Sequence, residues 1–172
     1  MNTIQVLPKI LSHDELAQIV RRRQQAGEQA VFTNGCFDLL HLGHIRYLQD
    51  ARSLGDFLIL GLNSDESTRR LKGPGRPLVP QQERAEILAA LSCVDYVTIF
   101  DEPTACPLVE QLQPAIYVKG GDYASAGSQQ FDPDRLPEAK VVQAYGGSVR
   151  LIPYLPGHST TELIAKIKRL PD

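Results

Sequence analysis

Hydrophobic positions follow two different periods along the chain, one typical of buried strands and the other of amphipathic helices. The run FLILGL at 57–62 is apolar on both faces, as the central strands of parallel sheets are. Shorter apolar runs predict four further strands, separated by segments with helical periodicity. These strands are predicted at Ala30–Thr33, Tyr96–Phe100, Ala115–Lys119 and Val149–Pro153.

The first helix has the clearest start signal. Ser12 is a candidate N-cap, and Glu15 completes a capping box with it. Leu11 and Leu16 are spaced to pack against each other across that start, and Gly27 is a candidate C-cap. Helical periodicity, together with glycine and proline positions, predicts the remaining helices near residues 43–54, 64–71, 80–91, 104–112, 136–145 and 159–168.

Strands that alternate with helices predict an α/β fold, a Rossmann-like, doubly wound, five-stranded parallel sheet with right-handed crossovers. We expect one domain over residues 1–172, with a helical lead-in at 1–28 and a flexible, polar insertion at 123–135. Ligands of such sheets bind at the carboxyl ends of the strands, near a topological switch point. The turn after the first predicted strand is therefore a candidate site.

Composition narrows the possible functions. The net charge is −2 and the pI is near 6.1, which argues against a general nucleic-acid or anionic-membrane binder. Three scattered cysteines without CxxC spacing indicate reduced thiols. No apolar run approaches the roughly 20 residues of a membrane span, and the N-terminus does not resemble a signal peptide. We expect a soluble, cytoplasmic protein.

The turn VFTNGCFDLLHLGH at 31–44 allows several kinds of chemistry. Cys36, His41 and His44 are possible zinc ligands, although their spacing is unusual and no other cluster supplies a fourth ligand. Cys36 is also a possible nucleophile with a histidine as its base, but no orienting group is evident. The two histidines also fit an ordinary structural role. These alternatives stay open beside a fourth, a phosphate-binding turn.

Phosphate binding explains more of this turn than the alternatives do. Gly35 lets the backbone turn sharply after the strand, and the start of the following helix presents N–H groups and a positive dipole. His41 and His44 are three residues apart, so both rings project from one face of the first turn. Gly43 leaves room for a phosphate between them. Two imidazole donors at a helix start suit a phosphoryl group that gains charge during displacement.

Two motifs resemble one known superfamily. GCFDLLHLGH at 35–44 resembles the G-x-F-D…H-x-G-H signature of the nucleotidyltransferases, which include cytidylyltransferases and adenylyltransferases. GHSTT at 157–161 resembles the G-x-S-T-T element that opens the last helix of that fold. Serine and threonine hydroxyls with free N–H groups suit a second anion-binding helix start.

The resemblance extends over nearly the whole chain to the heptose-1-phosphate adenylyltransferase family, which makes ADP-heptose for the lipopolysaccharide core. The segments at 62–102 and 116–123 resemble it, as do LPEAKVVQAYGG and LIPYLPGHSTTELIAKI. In that family this domain is often the C-terminal half of a bifunctional kinase–transferase, so we expect a stand-alone form that depends on a separate heptose kinase. His158 replaces the more usual Arg or Tyr, and Ser125–Asp134 resembles an insertion.

The resemblance and the chemistry together imply roles for individual residues. His41 and His44 are expected to contact the α- and β-phosphates, and Lys72 resembles a mobile phosphate-binding lysine of the family. For Asp38 we expect contact with the acceptor or a role in ordering the turn; Arg76 and Arg84 are substrate-binding candidates that also fit solvated surface positions. The expected nucleotide-binding residues are Gly35, Cys36, Phe37, His41, Gly43, His44, Lys119, Gly120, Asp122, Gly157, Ser159, Thr160 and Thr161.

The same resemblance implies direct, in-line attack of a sugar 1-phosphate on the α-phosphorus of ATP, with pyrophosphate leaving. Mg²⁺ is expected to travel with the triphosphate, without a dedicated protein ligand cage. A homodimer is expected, and no nucleic-acid or membrane partner. Two alternatives remain at this point: a cytidylyltransferase acting on glycerol 3-phosphate or a similar alcohol phosphate, and a regulatory nucleotide-binding module without catalysis.

Overall fold

The computed structural model describes residues 8–121, 135–153 and 155–170. Its sheet contains five parallel strands in the order β3-β2-β1-β4-β5, so the predicted α/β doubly wound fold is confirmed. The strands are β1 (Ala30–Gly35), β2 (Phe57–Asn63), β3 (Tyr96–Phe100), β4 (Ile116–Gly120) and β5 (Ser148–Ile152). The helices are α1 (His13–Gln25), α2 (Leu42–Arg52), α3 (Asp65–Lys72), α4 (Gln81–Ala89), α5 (Cys106–Leu112), α6 (Glu138–Ala144) and α7 (Thr160–Ile167).

The central strand β1 pairs with β2 on one side and with β4 on the other. The chain therefore builds outwards from β1 through β2 to β3 and then returns to the opposite side for β4 and β5. This reversal is the topological switch point, where ligands of doubly wound sheets bind. The ends of β1 and β4 flank it, at Gly35 and Gly120.

Helices cover both faces of the sheet. One apolar core joins α1, α5 and α6 to the face that includes Phe32 of β1, and the other joins α2 and α4 to the face that includes Val31. All seven residues of β2 are buried, as its unbroken apolar sequence predicts for a strand covered on both sides.

The helix signals read from the sequence are largely accurate. Ser12 and Glu15 form the predicted capping box at the start of α1. The predicted starts and ends differ from the observed ones by one or two residues at most elements, because terminal turns depend on local hydrogen bonding. At α2 the helix begins at Leu42, one residue before its predicted start. His41 is an extended N-cap residue, so the expectation that His41 and His44 both lie on the first helical turn is wrong.

The beginning of the described chain is attached to β3. The Leu11 amide donates to the Val97 carbonyl at 3.0 Å, and the Val97 amide donates to the Lys9 carbonyl at 2.8 Å. The predicted insertion at 123–135 lies outside the described residues except for Arg135. Within the described ranges, no helix combines the length and the apolar character needed to cross a membrane.

Candidate nucleotide-binding site at the sheet edge

His41 and His44 lie together at the carboxyl edge of β1, as the sequence predicts. Their rings stack with centroids 3.9 Å apart and an interplanar angle of 28°. The His44 ring also contacts the Phe37 ring, with centroids 5.3 Å apart. The Nδ1 atoms of both histidines are buried and have no hydrogen-bond partner among the described residues. Both rings are thus held by packing, and neither buried nitrogen is fixed by a hydrogen bond to the described residues.

Both imidazoles favour the neutral form. Burial lowers the pKa of His44 to about 4, and the neighbouring His41 ring contributes to this shift. Burial also lowers the pKa of His41; His158 lowers it further, while Glu162 opposes the shift. Two stacked imidazoles that both carried a proton would repel each other. At neutral pH the pair therefore presents neutral hydrogen-bond donors rather than fixed positive charges.

Gly43 allows the two sequence motifs to meet. A Cβ atom placed on Gly43 would lie 2.9 Å from Cε1 and Nδ1 of His41, and 3.0 Å from the His158 carbonyl oxygen. Real Cβ contacts are almost never so short. The absence of a side chain at Gly43 therefore lets the His41 ring fold over the start of α2 and brings the GHSTT segment against it.

GHSTT forms the start of α7. Gly157 has φ +76°, a conformation that favours glycine, and Ser159 is the N-cap. Ser159 Oγ accepts from the Glu162 amide and donates to the Glu162 carboxylate, both at 3.1 Å. Nδ1 of His158 donates to the Pro156 carbonyl at 2.9 Å. Thr160 and Thr161 are the first residues of α7. Because the His158 carbonyl lies against Gly43, the starts of α2 and α7 lie side by side.

The turn after β1 differs from the expected one. Gly35 is the last residue of β1, and the left-handed conformation falls on Phe37, with φ +45°. A Cβ on Gly35 would lie 2.9 Å from Cε2 of Phe37. Gly35 therefore does not make the sharp turn itself. It leaves space for the Phe37 ring, which in turn supports His44.

Asp38 orders the loop before α4, one of the two roles considered for it. Its buried carboxylate accepts from Nε of Arg76 at 2.6 Å and from the amides of Leu78 and Val79 at 2.8–2.9 Å. Burial alone would raise the pKa of Asp38, but the hydrogen bonds from Val79, Leu78 and Arg76 outweigh burial and lower it. Arg76 is therefore ion-paired rather than simply solvated.

Arg84 requires a correction. We expected a substrate-binding or solvated side chain, but none of its side chain is exposed. The guanidinium donates to the carbonyls of Cys36, Asn63 and Val79 and to the Asp65 carboxylate. Arg84 therefore lies beneath the site and not at its surface. The sequence gives no signal for this placement, because an arginine near a helix start is normally exposed.

The lysine candidates differ in their surroundings. Lys72 is exposed at the end of α3 and makes no hydrogen bond or ion pair among the described residues. Lys119 is buried near the end of β4, and its Nζ donates to the Asn34 carbonyl at 3.0 Å. Gly120 is buried beside it. Asp122, the remaining candidate of this segment, lies outside the described residues.

The described residues contain no group of side chains that supports the zinc alternative. Within residues 8–121, 135–153 and 155–170, no group of three or more His, Cys, Asp or Glu side chains is arranged to hold a metal ion. Cys36 is half-buried, and its carbonyl oxygen accepts a hydrogen bond from Nη1 of Arg84.

Comparison with known proteins identifies the family. Residues 32–166 match the cytidylyltransferase-like family, a range that includes both histidines and the start of α7. The chain belongs to the cytidylyltransferase-like family. The predicted nucleotidyltransferase resemblance is therefore confirmed at the family level.

Individual relatives agree with this placement. The chain is 54% identical over 160 residues to the bifunctional protein HldE of Geotalea uraniireducens (strain Rf4), covering 93% of this chain and 31% of that protein. HldE of Geobacter metallireducens (strain ATCC 53774 / DSM 7210 / GS-15) is 55% identical over 161 residues, with coverage of 94% and 31%. The chain thus spans about a third of the length of these relatives.

Solved structures show the same fold. A lipopolysaccharide core biosynthesis protein from Thermoplasma volcanium GSS1 has a TM-score of 0.59 and 28% identity, covering 75% of this chain and 98% of that one. Pantothenate synthetase from Thermus thermophilus has a TM-score of 0.57 and 18% identity, covering 93% of this chain and 71% of that one. The second likeness concerns the fold alone.

Proposed function

We propose that this domain is an adenylyltransferase that transfers AMP from ATP to heptose 1-phosphate, releasing pyrophosphate and ADP-heptose. The observation that carries the proposal is the close contact of Gly43, which lies between the stacked His41 and His44, with the His158 carbonyl at the start of α7. Two adjacent helix starts beside a pair of imidazoles favour binding of a polyphosphate. The family match and the HldE relatives support this chemistry.

The proposed reaction is a direct displacement. An oxygen of the sugar phosphate forms a bond to the α-phosphorus of ATP as the bond from that phosphorus to the pyrophosphate oxygen breaks. The attacking phosphate is already ionised at pH 7, so no general base is needed. The protein's contribution is to align the two substrates and to stabilise charge as it develops on the phosphates.

His41 and His44 have the central role in this scheme. Their buried Nδ1 atoms leave Nε2 as the ring nitrogen available for a phosphate oxygen. A neutral imidazole that donates through Nε2 stabilises the growing negative charge in the transition state more than the less charged ground state. Their lowered pKa values keep both rings neutral at physiological pH.

The remaining candidate residues surround this pair. Ser159, Thr160 and Thr161 would hold the triphosphate through hydroxyls and amides at the start of α7; this requires the Ser159 hydroxyl to exchange its Glu162 contact for a phosphate. Lys72 would approach the phosphates from the exposed end of α3. Gly120 and Asp122 would contact the base or ribose at the end of β4.

Mg²⁺ would accompany the triphosphate. The described residues contain no cluster of metal-ligating side chains, and the Asp38 carboxylate is already occupied by Arg76 and by backbone amides. We expect the ion to bind as a complex with the substrate phosphates. When bound, it would neutralise charge on the leaving pyrophosphate.

The cellular setting follows from the substrates. The sugar 1-phosphate must come from a kinase that phosphorylates heptose, and HldE relatives are named as bifunctional proteins. We place the reaction in the cytoplasm, where ATP is available, and expect the domain to act as a homodimer.

A panel of substrates tests the proposal. Pyrophosphate release should be measured with ATP or CTP, each paired with heptose 1-phosphate, other sugar 1-phosphates or glycerol 3-phosphate. The proposal predicts release that is fastest with ATP and heptose 1-phosphate. Turnover with CTP and glycerol 3-phosphate alone would favour the cytidylyltransferase alternative, and nucleotide binding without turnover of any pair would favour a regulatory module.

A further inference from the structure

Arg84 has the largest side chain that is fully buried in the described part of the chain. Burying a guanidinium is costly unless its N–H groups are paired. Its Nε donates to the Val79 carbonyl at 2.8 Å, and Nη2 donates to the Asp65 carboxylate at 2.7 Å. Nη1 donates to two further carbonyls. These four acceptors belong to three separate segments of the chain: the turn after β1, the junction of β2 with α3, and the loop before α4.

The two acceptors of Nη1 lie just beyond the paired parts of β1 and β2. Pairing between β1 and β2 ends at Gly35 and Leu62. The next carbonyl on β1's side is that of Cys36, and on β2's side that of Asn63; Nη1 donates to them at 2.6 and 2.9 Å. The guanidinium therefore bridges the two segments just beyond the point where their backbones stop pairing.

This bridge continues to the histidine pair. Fixing the Cys36 carbonyl fixes the peptide plane that precedes Phe37, whose φ of +45° is unfavourable for a side chain of this type. In that conformation the Phe37 ring lies over Gly35 and contacts the His44 ring. A chain of contacts thus leads from Arg84 through Phe37 to His44.

The same network holds the loop before α4. Asp38 accepts from the amides of Leu78 and Val79, and the Val79 carbonyl accepts from Arg84. The turn at 36–38 and the segment at 76–79 are therefore tied to each other directly and through Arg84. Neither segment can shift without breaking hydrogen bonds to a buried charge.

We infer that Arg84 is a positioning residue for adenylyl transfer: it holds the turn at 36–38 so that Phe37 orients His44. This inference rests on the proposed function for its catalytic consequence. In this scheme Arg84 makes no contact with substrate. Its guanidinium spans four acceptors, and it therefore sets the geometry of the turn more closely than a side chain that reaches fewer of them.

Arg84→Lys tests the catalytic consequence. Lysine retains the charge but cannot span all four acceptors. We expect kcat to fall at least about tenfold while the KM for ATP changes by less than about threefold, because the His44 contact is made mainly in the transition state. The matched control is Arg52→Lys: Arg52 pairs with Asp95 and donates to the Gly55 carbonyl, away from the site. Equal kcat values for both variants would overturn the inference.

Hydrogen–deuterium exchange tests the positioning role without relying on activity. In Arg84→Lys, amides of Leu78 and Val79 and of the turn at 36–38 should exchange at least about tenfold faster than in the wild type, whereas Arg52→Lys should leave them unchanged. Unchanged protection in Arg84→Lys would overturn the inference even if the wild-type protein transfers no adenylyl group. Absence of transfer by the wild type together with faster exchange would refute only the proposed function.

Asp65→Asn provides a second variant if Arg84→Lys does not fold. Asp65 is partly exposed, and its amide analogue keeps the shape while removing the charge that faces Nη2. Faster exchange of the same amides, by at least about threefold, is the expected result. Exchange at the wild-type rate would contradict a role for this network.

Discussion

The His158 carbonyl lies against the Cα of Gly43, so close that an added methyl group would be 3.0 Å from the oxygen. This contact joins residues more than a hundred positions apart in sequence and places the start of α7 beside the histidine pair. It also gives the GHSTT segment a fixed position relative to His41.

Gly43→Ala should lower turnover. The new Cβ would displace the His41 ring and the His158 carbonyl, and the cost of this displacement opposes the gain of up to about 1 kcal/mol that alanine brings over glycine in a helix. We expect kcat to fall at least about tenfold while Tm changes by no more than about 4 °C. Wild-type turnover would show that the close approach at Gly43 is not needed for catalysis.

His44→Ala should retain the fold and lower turnover by at least about 100-fold, the scale of losing one preorganised transition-state donor. Steady-state kinetics and circular dichroism measure the two effects. His13→Ala is the matched control, because His13 contacts the Ile99 carbonyl through Nε2 and lies outside the site. Near-normal turnover of His44→Ala would remove its assigned role.

The lowered pKa of His44 predicts how stability depends on pH. The folded protein holds His44 neutral down to about pH 4, whereas an unfolded histidine takes up a proton near pH 6.5. Between these values the unfolded state binds more protons, so the free energy of unfolding should rise as the pH increases through this window. Above it, this residue adds no further dependence.

Urea denaturation between about pH 4.5 and 7.5 covers this window and measures the effect. His44→Gln, which cannot titrate, should show a smaller increase in the free energy of unfolding over the same range. Part of the increase should remain, because burial also lowers the pKa of His41. Identical pH dependences for the two proteins would mean that His44 is not held neutral by the fold.

Asp38→Asn should weaken the loop at 76–79. The substitution removes the ion pair with Arg76 and turns an amide N–H₂ group towards backbone donors that the carboxylate now accepts. A loss of about 2 kcal/mol is expected, which corresponds to a fall in Tm of roughly 4–8 °C. Differential scanning calorimetry measures it. An unchanged Tm would contradict the anchoring role of Asp38.

The sequence was sufficient to predict the elements whose signals are local. FLILGL predicts a strand covered on both faces, the Ser12–Glu15 box marks the start of α1, and the periodicities predict the parallel sheet. The proximity of the two histidines was likewise predictable from their three-residue spacing. The helical geometry expected for the pair was wrong, because His41 is an extended N-cap residue that precedes the first turn.

Features that depend on distant contacts were not predictable. The buried position of Arg84 depends on acceptors from three segments that meet only in the folded sheet. The sharp turn was expected at Gly35 but occurs at Phe37, because packing of the Phe37 ring against His44 compensates for its unfavourable backbone conformation. No local pattern in the sequence marks either feature.

Transfer of a labelled phosphate tests the central claim most directly. The protein should be incubated with heptose 1-phosphate and ATP labelled at the α-phosphorus, and the products separated and counted. Direct adenylyl transfer predicts that the label appears in ADP-heptose, with one unlabelled pyrophosphate released for each molecule formed, and that His44→Ala slows both at least about 100-fold. Label that remains in ATP, or transfer at the same rate by wild type and His44→Ala, would contradict the account.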